Sequence, residues 1–179
     1  MNRTDLIRMG GLAAMVGGVV YTAVGLLVPF LVPMLIVLLA LGAMVATAGL
    51  HVLQRERYGL PGTLASLAVS IGVILILGSN LGFTEGLPWP IPERIIMVGT
   101  FVAALGMVAL GIATIGARVL PWWCGAALIA GGLGFVGTML APSWTGFITG
   151  LLAGVAWAVV GYALLRAASR QARQPSRVR

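Results

Sequence analysis

Two long stretches without formal charge constrain the fold of this chain more than any other feature. Between Arg8 and Arg55, and again between Arg118 and Arg166, the sequence contains no Asp, Glu, Lys or Arg. Each stretch is about twice as long as the roughly 20 residues with which an α-helix crosses a bilayer. Each stretch is therefore predicted to fold as a hairpin of two apolar helices.

The composition excludes an ordinary soluble protein. The chain is 60% hydrophobic and 8% charged, whereas soluble domains are about 25% charged. A soluble fold of this size has too little interior to bury so much apolar surface, so the solvent around these helices must itself be apolar. We expect an integral membrane protein whose first partner is the lipid bilayer.

Helix-breaking segments divide the chain into six predicted spans. Pro29 and Pro33, in VPFLVP, mark the turn of the first uncharged stretch, and APSW at 141–144 marks the turn of the second. Between these stretches, the charged segment QRERYG is predicted to form an inner loop, and this loop and the polar segment 79–94 bound two further spans. The predicted fold is an all-α, polytopic transmembrane bundle that forms one membrane domain over residues 1–179. Its spans are expected at about 9–28, 34–53, 61–81, 94–117, 122–141 and 145–165.

The arginines predict how the chain is oriented. All 11 basic residues are Arg. With the N-terminus inside, ten of them fall on the cytoplasmic side and only Arg94 falls outside, which is a strong positive-inside bias. We therefore predict a multi-pass protein of the cell membrane, inner or plasma, with both termini cytoplasmic. The net charge of +7 is then a matter of topology rather than of nucleic-acid binding, and residues 166–179 form a basic cytoplasmic tail.

Small residues recur every fourth position in the first and last spans. Four-residue spacing keeps them on one stripe of a helix, where backbones approach closely and gain dispersion contacts. We interpret both stripes as helix-packing seams, and the spacing leaves open whether they join helices of one chain, copies in a homo-oligomer or other membrane proteins. The stripes are Gly10, Ala14, Gly18 and Thr22 in the first span and Gly146, Gly150, Gly154 and Ala158 in the last.

The sequence offers little to hold a cofactor. His51 is the only histidine, whereas a b-type haem between helices usually needs two axial ligands. We expect an interfacial His51 whose ring reaches headgroups or a backbone carbonyl, and no bound cofactor or metal. GLGFVG at 132–137 spells a dinucleotide fingerprint, but it lies inside an apolar span rather than after a strand, so we interpret it as helix packing.

The longest polar interruption, GSNLGFTEGLPWPIPERI, supplies the candidate outer-loop group. Ser79 and Gly82 are expected to end the third span, while Pro92 begins the fourth. These local rules account for most of the segment and favour a joint between two halves of the protein over a working site. The polar group that remains as a candidate site consists of Asn80, Glu85, Glu93 and Arg94.

The middle of each predicted span lacks ionisable residues. Charged groups at the bilayer centre are costly and are retained where proton or ion pathways need them, so proton-coupled transport through a midplane carboxylate is disfavoured. The absence of lysine also excludes a retinal Schiff base. Scattered hydroxyls such as Thr47, Ser66 and Thr114 are able to line a path for a neutral solute, or to bond back to their own helices.

Three functions from different classes remain. The favoured one is a non-catalytic accessory or structural subunit that packs against other membrane proteins or lipids. The alternatives are a transporter or channel for a small neutral or apolar solute, and an enzyme or sensor using the outer loop 79–94. The segments RMGGLAAMVGGVVY and GLHVLQRERYGLPG resemble in style the small multi-span proteins of high-GC bacteria. That resemblance implies a bacterial inner membrane and no particular function.

Overall fold

The computed structural model describes residues 2–27, 32–84, 93–140 and 144–173 of the chain, and within these ranges every regular element is an α-helix. The predicted all-α class is confirmed for this part of the protein. The helices are α1 (Arg3–Leu27), α2 (Val32–Thr84), α3 (Glu93–Ala117), α4 (Trp122–Leu140) and α5 (Trp144–Arg173).

Several of these helices are long and apolar enough to cross a membrane. Within the described residues four such segments occur, at Arg3–Ala23, Ile36–Gly78, Arg94–Ala117 and Leu151–Ala172. The apolar part of α4, Trp122–Gly137, is shorter. Length and composition thus fit a multi-pass membrane protein, while the count of six spans and the N-in, C-in orientation stay predictions.

The helix α2 is interrupted at a single residue. Gly59 has φ 56° and ψ −147°, a backbone conformation that residues with a side chain rarely adopt. The segment QRERYG was expected to be a loop, but its Gln, Arg and Glu residues are good helix formers, so the helix continues to residue 58. We call residues 32–58 the first arm of α2 and residues 60–84 its second arm.

The chain reverses direction between these two arms. The Tyr58 hydroxyl lies 2.8 Å from His51 Nδ1 and 3.3 Å from Ser66 Oγ. The His51 and Ser66 atoms are therefore at most about 6 Å apart. In a continuous helix, residues 51 and 66 would stand about 22 Å apart. The two arms therefore fold back on each other as a hairpin.

The six helical segments form a closed ring. Helices that follow one another along the chain pack together, and α1 also packs against α5. Neighbours run antiparallel: a Cβ added at Gly10 would lie 2.9 Å from the carbonyl oxygen of Val45, whereas one at Gly17 would lie 3.2 Å from that of Leu38. An even number of segments allows every neighbouring pair, including the closing pair, to be antiparallel.

The closing contact between α1 and α5 is made backbone to backbone. A Cβ at Gly11 would lie 2.9 Å from the Gly161 carbonyl oxygen, and one at Gly18 would lie 2.6 Å from the Ala158 nitrogen and would also collide with the Gly154 carbonyl. Glycine is needed at these α1 positions because the facing atoms belong to backbone and have no rotamer through which to move away.

Large side chains fill the inside of the ring, and apolar side chains cover the outside. Trp157, Met107 and Leu110 are each 2% exposed or less and belong to one buried cluster. Leu67 and Leu105 on the outer surface are 53% and 61% exposed. This arrangement is the one that a bilayer favours, since lipid tails cover apolar side chains without cost.

Candidate functional site at the arginine-bearing end

One end of the ring gathers most of the described arginines, and we call it the arginine-bearing end. It is formed by the start of α1, the Gly59 reversal, the turn between α3 and α4, and the last turns of α5. Arg3 connects the first two parts, because its Nη2 donates to the Val52 carbonyl at 2.8 Å and its Nη1 lies 3.4 Å from Glu56 Oε1. The described arginines at this end are Arg3, Arg8, Arg55, Arg57, Arg118, Arg166, Arg170 and Arg173.

The turn between α3 and α4 is built by a left-handed residue. Arg118 has φ 52°, a conformation that commonly ends a helix, and Pro121 then precedes the start of α4 at Trp122. Trp122 is largely exposed and Trp123 is half-buried. Tryptophans at such a boundary are typical of the membrane interface.

A short chain of hydrogen bonds fixes the hairpin of α2. The Ser66 hydroxyl donates to the Gly62 carbonyl at 2.9 Å, and its oxygen lies 3.3 Å from the Tyr58 hydroxyl. The Tyr58 hydroxyl also lies 2.8 Å from His51 Nδ1. Tyr58 thus bridges His51 on the first arm of α2 and Ser66 on the second arm.

His51 has a hydrogen-bond partner that the sequence did not indicate. Its Nδ1 lies 2.8 Å from the Tyr58 hydroxyl, while the expected contact of its ring with lipid headgroups or a backbone carbonyl stays a prediction. Sequence reasoning missed this contact because Tyr58 was assigned to a loop, where its direction is not fixed by helical periodicity. The ring centroids of the two residues lie 5.9 Å apart.

Among the described residues, two polar side chains inside the bundle lack partners. Both amide atoms of Gln54 and the hydroxyl of Thr114 are buried without a hydrogen bond, and both residues are 0% exposed. By contrast, Thr47 donates to the Ala43 carbonyl at 2.7 Å, in the way that hydroxyls bond back to their own helix. A buried amide without a hydrogen bond is costly.

A cavity of about 210 Å³ lies beside the last turns of α5. Its floor is apolar and includes Leu53, Leu120 and Ala163, while Arg166 and Arg170 stand at its rim. The same two arginines border a shallower groove against Met15 of α1 on the other side of α5. The guanidinium of Arg166 also lies 4.8 Å from the ring centroid of Tyr162, a cation–π contact that orients this side chain.

These two arginines lie in the predicted basic tail, residues 166–179, and the first part of that tail is helical. The predicted last span ends at about residue 165, but α5 continues to Arg173. Long arginine stems lie along apolar surface while the guanidinium stays in a polar layer, so charge did not end the helix. The sequence does contain one sign that the helix continues. Tyr162, Arg166 and Arg170 are four residues apart, which places them on one face of a helix.

The predicted outer-loop group lies at or beyond the limits of the described residues. Arg94 is exposed near the start of α3, at the end of the ring opposite the other arginines. Asn80 and Glu93 have described helical backbone, but the surroundings of their side chains lie outside the described part, and Glu85 lies outside it altogether. The structure therefore neither assembles nor separates this group.

The predicted packing residues are divided between two neighbours of α1. Gly10 contacts the first arm of α2, Ala14 is 1% exposed, and Gly18 contacts α5 at Gly154 and Ala158. A four-residue step advances a helix by about 40° more than one turn, so a row of such steps drifts from one neighbour to the next. Gly146 and Gly150 lie in the helical backbone of α5, and their surroundings are outside the described part.

The cysteine side chain of this protein is buried. Cys124 is a free thiol with 0% exposure, in the first turn of α4. Among the described residues, no three His, Cys, Asp or Glu side chains come close enough together to hold a metal ion.

The chain was compared with protein-family models, with curated proteins and with solved structures, and it matches none of them.

Proposed function

We propose that this chain is a non-catalytic accessory or structural subunit of a cell membrane, which packs against other membrane proteins or against lipids. The observation that carries this proposal is the apolar outer surface of the ring around a core of buried side chains. Trp157 and Met107 belong to that core, while large apolar side chains such as Leu67 and Leu105 are exposed on the outside. A protein built in this way acts through what lies against its sides and ends.

We further propose six spans, with each arm of α2 counted as one and both termini cytoplasmic, in a bacterial inner membrane. The support is that the described arginines other than Arg94 share one end of the ring, and such an excess favours the cytoplasmic side. The single cysteine provides a direct test, because Cys124→Ala leaves a chain without thiols.

In that background, single cysteines at Asn2 and at Arg94 are treated in intact cells with a membrane-impermeant thiol reagent. Arg94→Cys is expected to react and Asn2→Cys is not, until the cells are opened. The opposite pattern, or equal labelling at both positions, would refute the orientation.

The accessory role is tested by photo-crosslinking in native membranes. A photoreactive residue replaces outward-facing Leu67 or Leu105 in separate experiments, and fully buried Leu110 serves as the matched control. We expect a discrete protein adduct from at least one outward position and none from Leu110. Absence of any protein adduct, together with purification in mild detergent as a monomer free of other proteins and bound lipid, would contradict the proposal.

A second function is favoured by one observation, the unpartnered polar atoms of Gln54 and Thr114. In a transporter for a small neutral solute, such groups would bind the solute in the interior of the bundle. The test is solute flux in liposomes with the wild-type chain, Thr114→Val and, as a control, Thr47→Val, whose hydroxyl already bonds to its own helix. Wild-type flux no faster than in empty liposomes across a solute panel removes this alternative.

A further inference from the structure

The cavity at the rim of α5 has the chemistry of an amphipathic, anionic ligand. Its floor contains Leu53, Leu120 and Ala163, whereas Arg166 and Arg170 carry two positive charges at its mouth. These arginines are four residues apart on one helix, so their side chains leave the same face about 6 Å apart along the axis. Two arginines that leave one face at this backbone spacing have side chains long enough to reach one phosphate and to bind it through charge-assisted hydrogen bonds.

The charges of the two arginines are not compensated within the described part of the chain. The ion pair found there joins Arg3 to Glu56, while Arg166 stacks on Tyr162, and neither Arg166 nor Arg170 pairs with a described carboxylate. The chain as a whole has 11 basic and 4 acidic residues. An anion from outside the chain is therefore the natural partner for this pair.

The position and size of the cavity indicate which anion fits. At about 210 Å³ it has room for roughly seven water molecules, which suits a phosphate with its glycerol and the first carbons of an acyl chain rather than a whole lipid. Trp123 lies on its wall, at the level where tryptophans meet headgroups. The groove on the other side of α5, toward Met15, gives the remainder of a lipid a surface to follow.

We infer that Arg166 and Arg170 bind the phosphate headgroup of an anionic phospholipid, with the adjoining apolar part of the lipid in the cavity floor. This inference deepens the proposed accessory function, on which it rests, by naming one lipid partner at one end of the ring. Basic pockets between membrane helices on the cytoplasmic side are known to suit such headgroups.

The test measures lipid binding to the purified full-length chain in a zwitterionic detergent by native mass spectrometry. Phosphatidylglycerol is the probe, and phosphatidylcholine, which has no net charge, is its comparison. The double variant Arg166→Gln/Arg170→Gln is compared with Arg55→Gln/Arg57→Gln, which removes the same charge from the same end at residues that do not line the cavity. Circular dichroism of each variant reports on its helix content.

We expect the first double variant to lose at least about tenfold more affinity for phosphatidylglycerol than the second, because it alone loses direct pairing with the phosphate. Equal losses in the two variants would overturn the inference, since they would reflect only the general field of the basic end. Equal binding of phosphatidylcholine and phosphatidylglycerol by the wild-type chain would overturn it as well.

Two further arms separate the lipid from a free anion. Ala167→Leu fills the cavity without changing charge, and it is expected to weaken phosphatidylglycerol binding severalfold while both arginines remain. Inorganic phosphate is expected not to displace the lipid, and displacement at matched concentrations would assign the site to a free anion and reject the lipid.

The outcome is independent of the cross-linking experiment. Protein adducts without the specific loss of lipid would reject only this inference, whereas specific lipid binding by a chain without protein adducts would leave the site standing and restrict the accessory role to lipids.

Discussion

The seam between α1 and α5 allows the packing argument to be tested at one atom. In Gly18→Ala the new Cβ would lie 2.6 Å from the Ala158 nitrogen and 3.1 Å from its Cα, whereas favourable carbon contacts lie at about 3.5–4.0 Å. The facing atoms are backbone, so α5 must retreat by roughly 1 Å. A gap of that size forfeits about a quarter to a half of the dispersion energy of each affected contact.

The variant also gains helix propensity, and the control isolates that gain. Alanine is favoured over glycine by about 1 kcal/mol inside a helix. Gly116 and Gly78 have nothing within 4 Å of an added Cβ, so Gly116→Ala and Gly78→Ala report the propensity term without a clash. Overpacking of tight contacts typically costs about 1–3 kcal/mol, and we expect Gly18→Ala to be less stable than either control by that amount.

The assay is reversible unfolding in mixed micelles with increasing denaturing detergent, followed by tryptophan fluorescence. Trp157 is 2% exposed and precedes Ala158 directly, and with the other four tryptophans replaced by phenylalanine in every variant its emission reports on the loss of the seam. If Gly18→Ala proves as stable as Gly116→Ala and Gly78→Ala, the backbone contact between α1 and α5 is not present in the protein and the closed ring is wrong.

Three further predictions concern the hairpin and the buried amide. Tyr58→Phe removes two hydrogen bonds and should cost about 1–3 kcal/mol in the same unfolding assay, whereas the exposed Tyr162→Phe should change stability by less than about 0.5 kcal/mol; equal effects would count against the hydrogen-bond chain. Gly59→Ala should cost about 1–3 kcal/mol, because alanine is strained at φ 56°, and a gain in stability would contradict the reversal there. Gln54→Met should be neutral or stabilising if no guest binds the buried amide, and a large loss would show that the amide has a partner in the protein.

The presence of apolar helices could be predicted because it depends only on composition and length. The stretch between Arg8 and Arg55 contains no Asp, Glu, Lys or Arg, and apolar stretches of this length are typical of transmembrane helices. The charged segment QRERYG also indicates a reversal near Gly59, but it predicts a loop there rather than a helix that continues to residue 58. Charged residues such as Arg55 and Glu56 are good helix formers, and the backbone turned only where glycine allowed φ 56°.

The partners of individual side chains could not be predicted, because they depend on how each helix is rotated about its axis. Gly10 and Gly18 looked like members of one stripe, yet they contact different helices. The doublets Gly10–Gly11 and Gly17–Gly18 indicate the two contact faces better, because they are seven residues apart. Seven residues fall within about 20° of two full turns, so equivalent glycines of the two doublets lie on the same face of α1. The cavity beside Arg166 could not be predicted either. It exists because α5 continues as a helix beyond the apolar span, and charge patterning alone does not specify where a helix ends.

The glycine doublets of α1 also bear on the order in which the protein is assembled. The first glycine of each doublet contacts α2, which is made directly after α1, but the second contacts α5, which is made only after α2, α3 and α4. While those helices are being synthesised, Gly11 and Gly18 therefore present an uncovered groove. The ring closes only when α5 arrives, and a nascent chain arrested before α5 offers that groove to the α5 of a neighbouring copy.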